Sequence, residues 1–154
     1  MTLLKLTNDG LLPALEEPLR EVTVDNWRTN PVDHAEATAL VIQNDLNVTD
    51  IARDLSGFDV IILDFPGFTD GRAYSQARLL RERFGYRGEI RARGGVLRDQ
   101  LFFMARCGFD AFEFAGANTT ELGAVMDEFS FVYQGAADRQ APVWQRRLSR
   151  AAAA

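Results

Sequence analysis

Cysteine and histidine are almost absent from this chain of 154 residues, in which Cys107 is the single cysteine and His34 the single histidine. One cysteine cannot form an internal disulfide, a Cys-x-x-Cys redox pair or the ligand set of an iron–sulfur cluster. The two residues also exclude a tetrahedral Cys/His zinc site within one chain. Cys107 lies in an apolar segment that ends at Gly108, so we interpret it as a buried small hydrophobic residue rather than a reactive thiol.

Long apolar segments are also missing. The longest runs, at residues 60–63 and 101–105, are far shorter than the roughly 20 residues of a membrane-spanning helix. The start of the chain has neither the basic residues nor the apolar stretch of a signal peptide. The sequence therefore predicts a cytoplasmic protein with no membrane association. Its length and apolar content fit one domain with terminal extensions: an N-terminal arm at 1–34, an α/β core domain at 35–134 and a C-terminal tail at 135–154.

Lysine occurs once, whereas arginine occurs 16 times. Nine arginines and only three acidic residues lie between Arg72 and Arg106, so this stretch carries +6, and the remainder of the −5 chain carries −11. Such segregation predicts an electropositive face suited to an anion or an acidic partner, although it also fits a solvated helix surface. A sequence pI near 4.9 and the lack of a basic groove with aromatic residues disfavour nucleic-acid binding.

Apolar residues in the middle of the chain alternate between strand-like and helix-like spacing. Helix start signals occur at Asn47, at Thr69 or Asp70, after Gly95, and at Asn118. Strands are predicted near residues 37–43, 58–65, 89–93, 109–114 and 131–134. Repeated βα units imply a mainly parallel sheet with right-handed crossovers. We expect a flavodoxin-like open sheet; the alternative is half of a TIM-like βα barrel, closed by a second copy in a homodimer.

Polar residues recur on one side of the predicted strands. Asp64, Arg91 with Arg93, and Glu113 each occupy positions where a strand of period two would present a common face. A doubly wound sheet buries both faces, so its strands should be almost wholly apolar. Either the strand at 89–93 lies at an edge of the sheet, or one sheet face lines a polar pocket.

Loops after the carboxyl ends of parallel strands form the usual binding edge of α/β folds. Arg72 and Arg98 fall in the first turns of two helices there, where the helix dipole favours acidic side chains, and an anion between them would relieve the repulsion. Alternatively, nearby carboxylates pair with these arginines in a structural network. The candidate anion or ligand site comprises Asp64, Asp70, Arg72, Arg91, Arg93, Arg98, Asp99, Gln100 and Glu113.

One continuous stretch, residues 65–114, resembles a bacterial family called domain of unknown function 934. The shared residues include FTDGRAYSQARLLR at 68–81, RDQ at 98–100 and FDAFE at 109–113. Members of this family look like companions of assimilatory sulfite reductase, and some are labelled probable oxidoreductases. The resemblance brings no catalytic residues with it.

The resemblance and the arginine-rich stretch together imply an accessory protein of sulfate assimilation that binds sulfite reductase or a related enzyme. We expect Arg78 and Arg81, on the outer face of the helix at 72–83, to contact this partner together with Trp144. One alternative is a small enzyme, by its label an oxidoreductase, that acts on an anionic metabolite with a carboxylate of the site as acid or base. Another is a sensor or carrier of a small oxyanion.

No cofactor is evident in the sequence. Redox chemistry requires a carrier, and the chain has no G-x-G-x-x-G dinucleotide fingerprint. A flavin at the sheet edge, flanked by Phe65, Phe68 and Tyr74, is the only internal route, although aromatic residues at a strand end belong more often to the core. The catalytic residues, if any, are unassigned, and no metal is predicted.

Overall fold

The computed structural model describes residues 2–15, 18–52, 55–115, 125–126, 132–138 and 141–152. Its seven strands form a single sheet in the order β2-β1-β7-β6-β5-β4-β3. The strands are β1 (Thr2–Thr7), β2 (Gly10–Ala14), β3 (Glu21–Thr23), β4 (Ala39–Ile42), β5 (Val60–Phe65), β6 (Glu89–Gly94) and β7 (Ala111–Phe114). The helices are α1 (Val24–Thr29), α2 (Arg72–Glu82), α3 (Leu101–Cys107) and α4 (Val143–Ala152).

Strands β3 to β7 are parallel and lie side by side in chain order. The predicted fold class, repeated βα units with a mainly parallel sheet, is therefore confirmed. A flavodoxin-like sheet reverses its strand order at a switch point, and β3 to β7 contain no such reversal. The sheet is open, and its order is that of consecutive strands in a βα barrel, the alternative topology.

One face of the sheet is apolar and is covered by α1, α2 and α3. Strand residues such as Ile61, Ile90 and Phe112 are fully buried there, in one cluster with Leu80 of α2 and Leu101 of α3. The helical residues in this cluster have the i, i+3 and i+4 spacing that the sequence pattern predicts. Right-handed crossovers between strands in sequential order place their connecting helices on the same face, which explains this arrangement.

The opposite face is concave. The strand register places Glu21 on β3 level with Glu89 on β6, three strands away. Arg93 lies four residues further along β6 than Glu89. In a flat sheet the Cα atoms of Glu21 and Arg93 would lie about 19 Å apart. Their side chains nevertheless meet, with Nη2 of Arg93 2.7 Å from Oε1 of Glu21, so the sheet must curl around this face as barrel strands do.

The polar positions predicted on the strands lie on this concave face. Strand β6 pairs with β5 on one side and β7 on the other, so the alternative that it lies at a sheet edge is wrong. Its arginines are polar because they face the concave surface rather than the helices.

The first 34 residues contribute to the same sheet. A tight turn at Asn8 and Asp9, ending at Gly10 with φ 102°, joins β1 and β2 in a hairpin, and β1 pairs antiparallel with β7. Leu4 and Leu11 are buried in the main core. The segment expected to form an arm thus supplies β1, β2, β3 and α1.

Helix boundaries differ from the predicted ones at three places. The helix expected to start after Gly95 begins at Leu101, and the 3-10 turn Arg98–Gln100 precedes it. After β4 the chain forms two 3-10 turns, Val48–Asp50 and Leu55–Gly57, instead of one short helix. The predicted cap is present, because the Asn47 side chain accepts a hydrogen bond from the Thr49 N–H at 3.1 Å. Helix α2 starts at Arg72 with Gly71 as its N-cap residue, rather than after Thr69 or Asp70, although the Asp70 carboxylate accepts a hydrogen bond from the Arg72 N–H at 3.3 Å.

The C-terminal part of the chain packs on the end of α3. The Ala137 N–H donates to the Arg106 carbonyl at 3.1 Å, and Arg106 Nε lies 3.1 Å from an Asp138 oxygen. The helix predicted at 118–129 lies mostly outside the described residues, and residues 132–134, which are described, form no strand. Within the described ranges, no helix combines the length and the apolar composition needed to cross a bilayer.

Candidate functional site

Asp70 and Arg72 form a closed pair in the loop after β5. Arg72 Nε donates to Asp70 Oδ1 at 3.0 Å and Nη2 donates to Oδ2 at 2.7 Å. These bonds hold the pKa of Asp70 far below its usual value, against the opposing effect of desolvation. The guanidinium fork that would bind an oxyanion is therefore engaged by a carboxylate.

Gln100 ties the loops after β5 and β6 together. Its Nε2 donates to the Phe68 carbonyl at 2.9 Å, and its Oε1 accepts from the Leu97 N–H at 3.3 Å. Arg98 and Asp99 precede it in a 3-10 turn and are exposed. Arg72 and Arg98 consequently occupy the same carboxyl edge of the sheet, as expected.

Gly94 and Gly95, at the end of β6, allow close backbone packing against the loop after β5. Gly94 has φ 96°, and a Cβ atom there would overlap the Phe65 carbonyl oxygen. A Cβ on Gly95 would lie 2.7 Å from the Phe68 nitrogen. The Gly95 N–H already donates to the Phe65 carbonyl at 2.8 Å, so this donor is used within the protein.

Six side chains of alternating charge cross the concave face. Successive members approach each other to 2.8, 2.7, 3.8, 2.8 and 2.7 Å. Three cations balance three carboxylates, so the row has no net charge. Its members, in order, are Lys5, Glu89, Arg91, Glu113, Arg93 and Glu21.

Arg93 makes the most hydrogen bonds in this row, because its guanidinium binds two carboxylates at short distance. Its Nε and Nη2 donate to Glu113 at 2.8 and 2.9 Å, while Nη1 and Nη2 donate to Glu21 at 2.8 and 2.7 Å. The hydrogen bonds from Arg93 lower the pKa of Glu21. Burial raises the pKa of Glu89, but bonds from Lys5 and Arg91 outweigh it and the net change is downward. Glu21 and Glu89 are thus ionised at neutral pH.

The predicted ligand residues therefore form two groups. Asp64, Arg91, Arg93 and Glu113 share the concave face, whereas Asp70, Arg72, Arg98, Asp99 and Gln100 lie in the loops after β5 and β6. Carboxylates engage Arg72, Arg91 and Arg93. This geometry corresponds to the structural network, the alternative to an anion site.

Asp64 differs from the paired carboxylates of the concave face. It is level with Arg93 in the sheet register and half-buried. Among the residues described, its carboxylate has neither a hydrogen bond nor an ion pair. It is therefore the candidate with the most chemical freedom on the concave face.

Comparison with known families identifies the chain. The family model described as "Bacterial protein of unknown function (DUF934)" matches residues 39–144. The chain belongs to this family. The match confirms the resemblance seen at residues 65–114 and covers β4 to β7. No curated protein and no solved structure matches this DUF934 protein.

The two arginines predicted to contact a partner differ in this DUF934 protein. Arg78 is half-exposed and pairs with Glu82 at 3.0 Å. The expectation that Arg81 is also exposed is wrong, because only 17% of its side chain is accessible. The loop after α2 and the start of β7 fold around Arg81 and supply acceptors for its guanidinium.

These acceptors engage four of the five N–H groups of the Arg81 guanidinium. Nε donates to the Gly108 carbonyl at 2.9 Å, and Nη1 donates to the carbonyls of Tyr86 and Gly88, both at 2.9 Å. Nη2 contacts the Asp110 carboxylate. Arg81 thus fixes the loop that follows α2.

That loop carries an exposed basic surface that was not predicted specifically. Arg83 and Arg87 are exposed, and neither makes an ion pair within the described part of the chain. The Arg83 guanidinium lies 5.8 Å from the centre of the Phe84 ring. The sequence signal that could have identified this surface is the position of these arginines beside Gly85 and Gly88, because such glycines mark a turn in which charged side chains face solvent.

The aromatic residues considered for a flavin belong mainly to the core. Phe65 is buried and packs edge-to-face on Tyr74 with ring centres 5.4 Å apart. Burial raises the pKa of Tyr74 to about 12. Phe68, by contrast, is exposed. In the described ranges, no cluster of three or more His, Cys, Asp or Glu residues could hold a metal ion.

Proposed function

We propose that this DUF934 protein is an accessory protein of sulfate assimilation that binds an acidic surface of sulfite reductase or a related enzyme. The sulfur context comes from the family resemblance. The observation that supports a binding role is the division of the arginines between internal ion pairs and an exposed surface. That surface, which we call the basic surface, consists of Arg78, Arg83 and Arg87.

Arginines at the expected ligand edge are poorly suited to an external anion. Arg72, Arg91 and Arg93 would have to exchange an internal carboxylate for the ligand. Leaving the buried Glu113 carboxylate without Arg91 and Arg93 costs several kcal/mol. Arg83 and Arg87 have no such partner to release among the residues described, so binding an acidic surface carries no corresponding cost.

Helix α4 adds an aromatic anchor. Trp144 and Leu148 are 54% and 63% exposed, and their i, i+4 spacing places them on one helix face. Arg146 and Arg147 on the same helix are also exposed. Tryptophan and arginine are over-represented among residues that dominate binding energies at protein interfaces.

The test is a pull-down of sulfite reductase from the native organism, combined with growth on sulfate as sole sulfur source. Arg83→Glu with Arg87→Glu should abolish recovery of the reductase and fail to restore growth to a deletion strain. The matched control, Arg20→Glu with Arg28→Glu, reverses two exposed arginines outside the basic surface and should behave as wild type. Normal growth of the deletion strain, with no reductase recovered by the wild-type protein, would overturn the proposal.

A small enzyme is the second candidate, and the Asp64 carboxylate, which has no partner among the described residues, favours it. A half-buried carboxylate beside Arg93 can act as a general acid or base toward an anionic substrate. Asp64→Asn should then abolish complementation while leaving the fold and the reductase pull-down intact. Full complementation by Asp64→Asn would remove this candidate.

A further inference from the structure

The amino end of the parallel strands contains a hollow beside Arg87, on the edge of the sheet opposite the candidate ligand loops. We propose that this hollow is a docking pocket for an acidic segment of a partner protein. An aromatic or branched apolar side chain of the segment enters the hollow, and its neighbouring carboxylates face Arg83 and Arg87. This inference rests on the proposed function for the existence of a partner and adds the pocket and the chemistry of the bound segment.

The walls of the hollow are suited to an apolar side chain. It has a volume of about 400 Å³ and lies between the 3-10 turn Leu55–Gly57 and residues 84–88. Leu55, Phe58 and Tyr86 are almost fully buried beneath it, and Phe84 forms a further aromatic wall. A pocket with such walls binds a large apolar group most strongly, because burial of apolar area drives the association.

The rim of the hollow is positive. Arg87 lines it, and Arg83 lies over the ring of Phe84, which is part of the wall. Asp59 is the one acidic residue among the described lining residues. Two exposed arginines against one carboxylate favour an acidic segment by charge complementarity. The exposed apolar face of α4 is flanked by arginines as well, so α4 of a second copy would be repelled from this rim.

Internal bonds hold the hollow in shape. Arg81 binds the carbonyls of Tyr86 and Gly88, and the Tyr86 hydroxyl donates to the Phe58 carbonyl at 3.0 Å. A Cβ atom on Gly88 would lie 2.5 Å from the Asp59 carbonyl oxygen, so the two walls are in direct backbone contact. A preformed pocket loses little conformational entropy when a segment binds.

The experiment is a titration of the ¹⁵N-labelled full chain, followed by NMR, with three capped tripeptides at millimolar concentration. The probe is acetyl-Glu-Phe-Asp-amide, and acetyl-Lys-Phe-Lys-amide and acetyl-Glu-Ala-Asp-amide are the controls. Saturable shifts of the Ser56, Gly85 and Gly88 amide signals are expected with the probe alone. An absence of these shifts, or equal shifts with either control peptide, would overturn the proposal.

Two variants test the rim charge and the shape of the hollow separately. Arg87→Glu should weaken binding of the probe by about tenfold through the rim charge. Ser56→Trp, at an exposed lining position, should block the hollow without changing charge. Arg20→Glu should bind as wild type does. Undiminished binding by both Arg87→Glu and Ser56→Trp would show that the peptide binds elsewhere.

The outcome distinguishes this inference from the proposed function. If the probe binds in the hollow but the wild-type protein recovers no reductase, the pocket stands and the sulfur-assimilation role fails. If wild type, Arg87→Glu and Ser56→Trp all recover the reductase equally, the accessory role stands and the pocket is not its docking site.

Discussion

Two arginines of helix α2 have different roles, because different hydrogen-bond acceptors surround them. Arg78 and Arg81 are one turn apart on α2, yet Arg78 is half-exposed, whereas the carbonyls of three residues and one carboxylate engage Arg81. A guanidinium carries five N–H donors, so it can join several chain segments at once. Arg81 in this way connects α2, the loop after it and the start of β7.

Truncation of the two arginines should have very different effects on stability. Arg81→Ala leaves the Tyr86, Gly88 and Gly108 carbonyls without this donor and Asp110 without its cation, so we expect a loss of about 3 kcal/mol. Arg78→Ala removes only an exposed pair and should change stability by less than about 0.5 kcal/mol. Urea unfolding measures both, and similar midpoints for the two variants would contradict the structural role of Arg81.

The row of charges on the concave face predicts a dependence of stability on pH. The folded pKa of Glu21 lies below its usual 4.5 because Arg93 binds it, so the unfolded chain takes up a proton more readily. This contribution is complete above about pH 4.5 and is lost as the pH falls through the lowered pKa. Glu21→Gln should reduce the acid-induced decrease of the urea midpoint. Glu36→Gln, at an exposed carboxylate, is the control, and an equal reduction there would argue against the row.

Gly94 is predicted to tolerate no side chain. Its φ of 96° disfavours other residues, and an added Cβ would overlap the Phe65 carbonyl. Gly94→Ala should therefore destabilise the protein by about 1 to 3 kcal/mol for the backbone conformation alone. Gly67→Ala in the neighbouring loop is the matched control, because nothing lies within 4 Å of its Cβ position. Equal unfolding midpoints for the two variants would refute the close approach of the β5 and β6 ends.

At the level of elements, packing decides which face of each helix and strand is buried. α3 places Leu101, Met104 and Ala105 against the sheet, while Phe103 on its other side is exposed. The strands divide similarly. Their apolar face lies toward the helices, while the concave face carries the charged row beside a small apolar cluster of Ala39, Val60 and Ile62. A parallel sheet with one charged face differs from the usual doubly wound sheet, in which helices cover both faces.

Leu101 tests the assignment of the inner face of α3. It is fully buried, so Leu101→Ala should destabilise the protein by about 2 to 5 kcal/mol through lost burial and the cavity left behind. Phe103→Ala, on the exposed side of the same helix, should have a much smaller effect. A change below about 1 kcal/mol at Leu101, measured by urea unfolding, would show that the face is misassigned.

At the level of the whole molecule, the N-terminal hairpin and the βα units share one core. Leu4 on β1 belongs to the same buried cluster as Leu80 on α2 and Leu101 on α3. β1 also covers the edge of β7 that would otherwise be open to pairing with another chain. The sheet therefore includes the N-terminal hairpin as well as the βα units.

A shared core predicts a single unfolding transition. Leu4→Ala should cost about 2 to 5 kcal/mol, as at Leu101, because both residues are fully buried in one cluster. Fluorescence and circular dichroism should report the same shifted midpoint in each variant. Separate transitions in Leu4→Ala would show that the hairpin is an independent arm.

Much of the fold could be predicted because its signals are local. The spacing of Ala73, Ala77 and Leu80 indicates a helix, and the run at residues 60–65 indicates a strand, whatever surrounds them. The turn at Gly10 and the cap at Asn47 also depend on nearby backbone alone. Membership of the DUF934 family could likewise be recognised from one continuous stretch.

The candidate site was predictable only in part. Period two places Asp64, Arg93 and Glu113 on one face, and the structure shows this face, but it does not reveal that Arg93 would also meet Glu21. Those two residues are 72 positions apart, and their contact depends on the curl of the whole sheet. The hollow beside Arg87 similarly requires two segments that are distant in sequence.

The sequence by itself determined the alternation of strands and helices, the hairpin turn, the segregation of arginine and the family, because each depends on neighbours along the chain or on composition. Tertiary structure alone decided the strand order, the curvature and the partner of each arginine. A guanidinium binds whichever acceptors the folded chain brings within reach. For that reason Arg81 is internal and Arg87 is exposed, although both lie in the same arginine-rich stretch.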